Sequence, residues 1–133
     1  MIRVFVDTSY YVAAVNARDA MHRAALEFAR SYTGAMLTTE FVLIEVGNWL
    51  ARSGDRVVFV DLLRQLRADP QVTVLPASPV LFERGLSLYT RRPDKDWSLT
   101  DCISLVVMEE HGLRDALTAD HHFEQAGFTI LLK

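Results

Sequence analysis

The chain has 133 residues, half of them hydrophobic and 23% charged, a composition that builds one folded domain and excludes a disordered or low-complexity segment. A single cysteine, Cys102, excludes an internal disulfide and a cysteine-based zinc site, and no apolar run approaches the ~20 residues that span a bilayer. The formal net charge of −3 excludes a purely architectural nucleic-acid binder, which would be basic.

In chain order, Ile2 to Val6 (IRVFV) is a β-branched run that predicts a buried parallel strand ending at Asp7. Thr8 or Ser9 is the expected cap of the helix TSYYVAAVN, and Asp19 of the helix DAMHRAALEFARSY, which Gly34 follows. Ala35 to Leu37 is a brief strand, and Thr38-Thr39 opens a helix that runs to Arg52. Past the Ser53-Gly54 turn, Asp55 is expected to cap VVFVDLLRQLRA, which ends before Pro70. Val72 to Leu75 is the next strand. Ser78-Pro79 reads as a cap followed by proline at the first helical position, leading LFERGLSLYT into the polar loop RRPDKDW. Ser98 opens a helix that closes at His111-Gly112, Ala116 to Thr118 is a strand, Asp120 caps the short helix HHFEQA, and Phe128 to Leu132 is the last strand. The alternation predicts one α/β domain over 1–133, with a central, mainly parallel sheet of about four to five strands flanked by helices. In such sheets ligands sit beyond the carboxyl ends of the strands, which points at Asp7 and Asp120. The opening MIRVFVDTS is too short and turns acidic too early for a secretory signal, so a reducing cytoplasm and no membrane are expected.

The chemistry lies in carboxylates. Asp7 and Asp120 follow strands, and each also has a plain reading as a helix cap. Glu45 sits in the helix TTEFVLIEVGNWLA among Phe41, Val42, Asn48 and Trp49, surroundings in which a charge needs a compensating partner. Glu40 competes with it, but lies in the first turn, where the helix dipole alone accounts for a carboxylate. Asp101 completes the capping-box string SLTD (98–101), and Asp96, just upstream, competes with it as a ligand. Cys102 lies in an apolar helix and reads as buried and inert. His121 and His122 could coordinate metal but have no further His or Cys at ligand spacing, which makes them weak candidates, and His22 and His111 read as surface or capping residues. Four acids on separate elements, Asp7, Glu45, Asp101 and Asp120, would repel one another without a cation. Hard oxygen ligands suit Mg²⁺ or Mn²⁺. Neutralising four acids takes the net charge from −3 to +1, a balance compatible with an anionic substrate. The basic residues are nearly all arginine, only Lys95 and Lys133 being lysines.

The segments VDTSYYVAA, TTEFVLIEVGNWLA, DWSLTDCISLVVMEEHG and ALTADHHFEQAGF, in this order and spacing, resemble the PIN-domain family over essentially the whole chain, and most of all its VapC-type toxin ribonucleases. The resemblance implies a metal-dependent endoribonuclease with Mg²⁺ or Mn²⁺ held by Asp7, Glu45, Asp101 and Asp120. It also implies hydroxyl or outer contacts from Thr8, Ser9, Asp96 and Thr118. It further implies an RNA substrate guided by rim arginines such as Arg91 and Arg92, a homodimer, and a small antitoxin protein that offers an Arg or Lys to the acidic groove as a false cation. Two other readings of the residues stay open. One is a phosphatase with Asp7 as nucleophile, although such enzymes of the haloacid-dehalogenase type carry a second Asp where this chain has Ser9. The other is a catalytically silent RNA- or protein-binding module of the same fold.

Overall fold

A computed structural model describes residues 3–133. The strands are β1 (Arg3–Val6), β2 (Ala35–Thr39), β3 (Val72–Leu75), β4 (Asp115–Leu117) and β5 (Thr129–Ile130). The helices are α1 (Thr8–Val15), α2 (His22–Ser31), α3 (Glu40–Arg52), α4 (Arg56–Ala68), α5 (Pro79–Arg91), α6 (Leu99–Glu110) and α7 (His121–Gln125). All strand pairings are parallel, in the order β3-β2-β1-β4-β5. This is the predicted α/β architecture.

The central strand shows why the sheet needs cover on both faces. Val4, Phe5 and Val6 are consecutive, so they point alternately to opposite faces, and all three are buried. From α3, Val42, Val46 and Leu50 repeat every four residues and supply one buried stripe; α6 adds Leu105, Val107 and Met108. Helices α5 and α6 approach closely at Gly85, where an added Cβ would lie 2.2 Å from Ile103 Cγ1. Gly112 takes a φ of +65° just past the end of α6, a conformation that glycine adopts without steric cost.

The order of strands places a switch point beside β1: the chain leaves it for β2 on one side and reaches β4 on the other. The carboxyl ends of β1 and β4 are tied together there, Asp7 N–H donating to the Leu117 carbonyl at 3.2 Å. Thr38 Oγ1 donates to the Val6 carbonyl at 2.8 Å and ties in β2.

Several expected boundaries move, each for a local reason. Ile2, expected to open β1, lies outside the described residues. Thr8 and Ser9 are not caps but the first helical residues of α1, and their hydroxyls turn to other partners. Asp19 does not cap a helix starting beside it: its carboxylate accepts from Met21 N–H at 2.8 Å, making a local turn, and α2 begins only at His22. Strand β2 runs on to Thr39, whose hydroxyl then accepts from Val42 N–H, so Thr39 alone caps α3. Asp55 precedes α4 but makes no cap bond, because its carboxylate accepts from the Ser53 hydroxyl instead. Arg91 still belongs to α5, and β5 is shorter than the apolar run 128–132 that contains it. Ser78 caps α5 with Pro79 in its first turn, and Ser98 caps α6, as read from the sequence.

Candidate active site

The switch point is the floor of an open cleft of about 440 Å³, and Asp7, Glu45, Asp101 and Asp120 all line it. Thr8, Ser9, Val12, Asp19, Trp49, Asp96, Ser98 and His122 complete its wall. The four acids come from four places in the fold: the end of β1, the middle of α3, the first turn of α6 and the segment after β4.

Asp7 is 4% exposed. It occupies the cap position of α1 with extended backbone, yet its side chain makes no cap bond. Its Oδ2 accepts instead from Thr118 Oγ1 at 2.8 Å. That hydroxyl belongs to a chain of contacts: it lies 2.8 Å from Ser9 Oγ and accepts from Asp120 N–H at 3.0 Å, while Ser9 Oγ accepts from Ala119 N–H at 3.1 Å. Burial pushes the Asp7 carboxyl up to about 7 from 3.8, with the neighbouring charges of Asp101 and Glu45 adding to the rise; the bonds from Thr118 and from the Thr8 backbone oppose it. No cationic side chain lies within ion-pair distance of Asp7 among the described residues.

Asp101 and Asp120 are helix caps and also line the cleft. Asp101 and Ser98 form a full capping box: Ser98 Oγ accepts from Asp101 N–H at 3.0 Å, and Asp101 Oδ2 accepts from Ser98 N–H at 3.1 Å. Asp120 Oδ1 accepts from His122 N–H at 2.9 Å and caps α7. Each cap engages one carboxylate oxygen and fixes the side chain's direction; the second oxygen of each has no hydrogen bond among the described residues. Burial also holds the Asp101 carboxyl above its ordinary value, an effect that the Ser98 backbone bond opposes and the Asp120 charge reinforces.

Glu45 Oε1 accepts from the Thr8 hydroxyl, which binds α3 to the start of α1 at the cleft's edge. Glu40 faces elsewhere: its Oε1 accepts from Ala77 N–H at 2.6 Å, and it lines a separate groove between α3 and α4. Asp96 lines the cleft but is exposed, whereas Asp101 is 7% exposed. Two arginines read together in the sequence part ways. Arg92 lines a groove that shares Asp96 and Ser98 with the cleft, and its guanidinium is paired with Asp94 at 2.9 Å and lies 5.3 Å from the Trp97 ring centre. Arg91 lines a different depression together with Glu109 and Glu110.

Two cleft residues stand out little in the sequence, where His122 is a weak ligand candidate and Asp19 an expected cap. His122 Nδ1 lies 3.0 Å from Asp101 Oδ2 and 3.3 Å from Asp120 Oδ1, so Asp101, Asp120 and His122 each offer a ligand atom to one small volume. The sequence signal was present, since His122 is two residues past a capping Asp and its partners are acids rather than further His or Cys. Asp19 arrives from the α1–α2 connection, and nothing in its local pattern announces the cleft. As a donor set, buried and crowded carboxylate oxygens without a cationic neighbour at Asp7 fit a divalent cation bound mainly through oxygen.

A family model described as PIN domain matches residues 4–129. The chain belongs to the PIN-domain family. It is 31% identical over 126 residues to the 23S rRNA-specific endonuclease VapC20 of Mycobacterium tuberculosis (strain H37Rv), an alignment spanning 94% of this chain and 95% of the relative. The crystal structure of Mycobacterium tuberculosis VapC20, described as a sarcin-ricin loop cleaving toxin, matches with a TM-score of 0.86 at 29% identity, over 95% of this chain and 96% of that one. A toxin-antitoxin complex from Klebsiella pneumoniae shares the fold, with a TM-score of 0.60 at 18% identity over 89% of this chain and 87% of that one. Among the described residues no helix is long and apolar enough to cross a membrane.

Proposed function

We propose that this protein is a metal-dependent endoribonuclease that hydrolyses RNA phosphodiester bonds, the toxin of a toxin–antitoxin pair, with Mg²⁺ or Mn²⁺ held by Asp7, Asp101, Glu45 and Asp120. The observation that carries the reading is the meeting of these four carboxylates in one cleft, with the most buried of them lacking any cationic partner among the described residues. When bound, the ion supplies a Lewis acid for the phosphodiester and lowers the pKa of the attacking water. Thr118 holds the Asp7 carboxylate in one orientation, and Ser98 does the same for Asp101. Thr8 holds one oxygen of Glu45 and leaves the other for the site, which Glu45 would complete directly or through water, with one of the carboxylates assisting as general base. Ser9 acts through Thr118, and Asp96 lies at the mouth of the cleft as an outer contact.

RNA enters along the groove continuous with the cleft, where Arg92 and Lys95 sit over the Trp97 ring, at 5.3 and 5.9 Å from its centre, as the phosphate-facing cations. The apolar groove between α3 and α4, about 500 Å³ and lined by Leu43, Ile44, Phe59, Val60 and Leu63, supports a protein partner such as an antitoxin segment. Ile44, Val57, Val60, Val80 and Phe82 are exposed apolar residues of a kind that contact between protein chains covers, consistent with a homodimer or a bound antitoxin. The cytoplasm is the compartment in which such a pair operates.

The phosphatase reading fares worse. Ser9, which stands where such enzymes carry their second Asp, is committed to Thr118 and Ala119. The silent-module reading is met by experiment. Purified protein incubated with total RNA and Mg²⁺ or Mn²⁺ is expected to cleave it, and an Asp7→Asn variant purified in parallel is expected not to. Equal cleavage by the two proteins, or none by either, overturns the proposal.

A further inference from the structure

We propose that His122 is a nitrogen ligand of the cation, so that the site selects a borderline first-row transition ion such as Mn²⁺ over Mg²⁺. The inference rests on the metal-dependent reading above and adds to it the class of ion. The geometry begins with the cap of α7. Asp120 Oδ1 accepts from His122 N–H at 2.9 Å, which fixes the first turn of the helix and brings the imidazole back over its amino end. There Nδ1 lies 3.0 Å from Asp101 Oδ2 and 3.3 Å from Asp120 Oδ1. The nitrogen and one carboxylate oxygen from each acid thus lie close enough together that all three could be donors to one cation. The ring is held in place, its side chain only 20% exposed, and it tilts against His121 with ring centres 4.7 Å apart.

The other histidines of the chain set the contrast. The Nδ1 atoms of His22 and His111 lie on the backbone carbonyls of Ala13 and Val107, at 2.7 and 2.9 Å, and the His121 side chain is 69% exposed. Among the described residues only His122 brings its ring nitrogen within 3.3 Å of two different acids of the cleft. A neutral imidazole nitrogen is a good donor to first-row transition ions, while Mg²⁺ holds to hard oxygens and to water. The competing account makes His122 a hydrogen-bond donor that merely orients Asp101, with a proton on Nδ1 and no bond to the ion.

Pulsed electron paramagnetic resonance on the Mn²⁺-loaded full-length protein separates the two. The expected result is a ¹⁴N coupling from a directly bound imidazole, absent in His122→Asn and in His122→Ala. The Mn²⁺-over-Mg²⁺ preference in competition titrations is expected to fall on the order of tenfold in both variants. Two variants are used because asparagine keeps a polar group at the Nδ1 position while alanine removes it, and circular dichroism confirms that each is folded. A Mn²⁺ spectrum without nitrogen coupling, in a protein that binds Mn²⁺ and loses it on Asp7→Asn, overturns the role of His122 and leaves the metal site standing. No Mn²⁺ binding by the wild type overturns both.

Discussion

Replacing Asp7 with asparagine is expected to separate stability from activity, because the carboxylate proposed to hold the ion is also the most buried of the four acids. The group ionises near 3.8 in an unfolded chain and near 7 when folded without metal. A folded-state value that is raised means the folded chain holds the proton more tightly. The associated stability is full below pH ~4 and is lost as the pH climbs to ~7, beyond which the loss is complete. The interval of about three pH units corresponds to ~4 kcal/mol at 1.36 kcal/mol per unit, an upper figure for a cleft that water enters. Asparagine does not ionise and shows no such step. Its carbonyl still accepts from Thr118 Oγ1, while its amide needs a new acceptor, a cost of ~1 kcal/mol. In a chelator-containing buffer at pH 8 the variant is therefore expected to be ~2–3 kcal/mol more stable than the wild type, and at pH 4 equal to it or weaker. Urea unfolding followed by circular dichroism from pH 4 to 8 measures both curves. A slope common to the two comes from groups other than Asp7, Asp101 among them. Saturating Mn²⁺ is expected to restore the wild type at pH 8 and to do little for the variant. Parallel curves for the two proteins across pH 4–8 would refute the claim that Asp7 carries the strain of the site.

The remaining predictions concern single contacts. Glu45→Gln is expected to lower RNA cleavage on the order of 10²-fold, whereas Glu40→Gln, whose amide carbonyl still accepts from Ala77 N–H, leaves it unchanged; single-turnover cleavage rates decide. Thr118→Val keeps the shape of the side chain but strips partners from Asp7, Ser9 and Asp120 N–H, so a loss of ~1–3 kcal/mol is expected in urea unfolding. Gly85→Ala sets a methyl against the stiff, β-branched Ile103 and its backbone, at 2.2 and 3.1 Å, and should cost ~1–3 kcal/mol, seen as a lower Tm. Cys102 is 1% exposed and burial pushes its thiol up, so a thiol reagent is expected to label it promptly in urea and slowly in the native protein.

What was legible in the sequence was whatever a short window encodes. The run Val4-Phe5-Val6 is buried on both faces and says so by being apolar throughout, and the caps of α5, α6 and α7 are written in Ser78, Ser98 and Asp120. Glu45 was legible as a misfit, a charge in an apolar helix register. Asp19 and Asp55 misled because an Asp before a helix has two local uses, a cap or a turn, and the same residue type satisfies both. The hydroxyl chain from Asp7 through Thr118 to Ser9 spans more than a hundred positions and has no local signature at all. His122 depends on how α7 is rotated over the cleft, which the Asp120 cap and the packing of the fully buried Phe123 determine together.

The bond between Thr118 and Asp7 joins positions 111 apart, and it has a consequence for synthesis. No amino-terminal fragment short of residue 122 contains Asp7, Asp101, Asp120 and His122 together, and until β4 is made, β1 is an unfinished sheet edge. A nascent chain that stops short of β4 and the start of α7 therefore holds an incomplete cleft, whose acids come together only after those segments have been made.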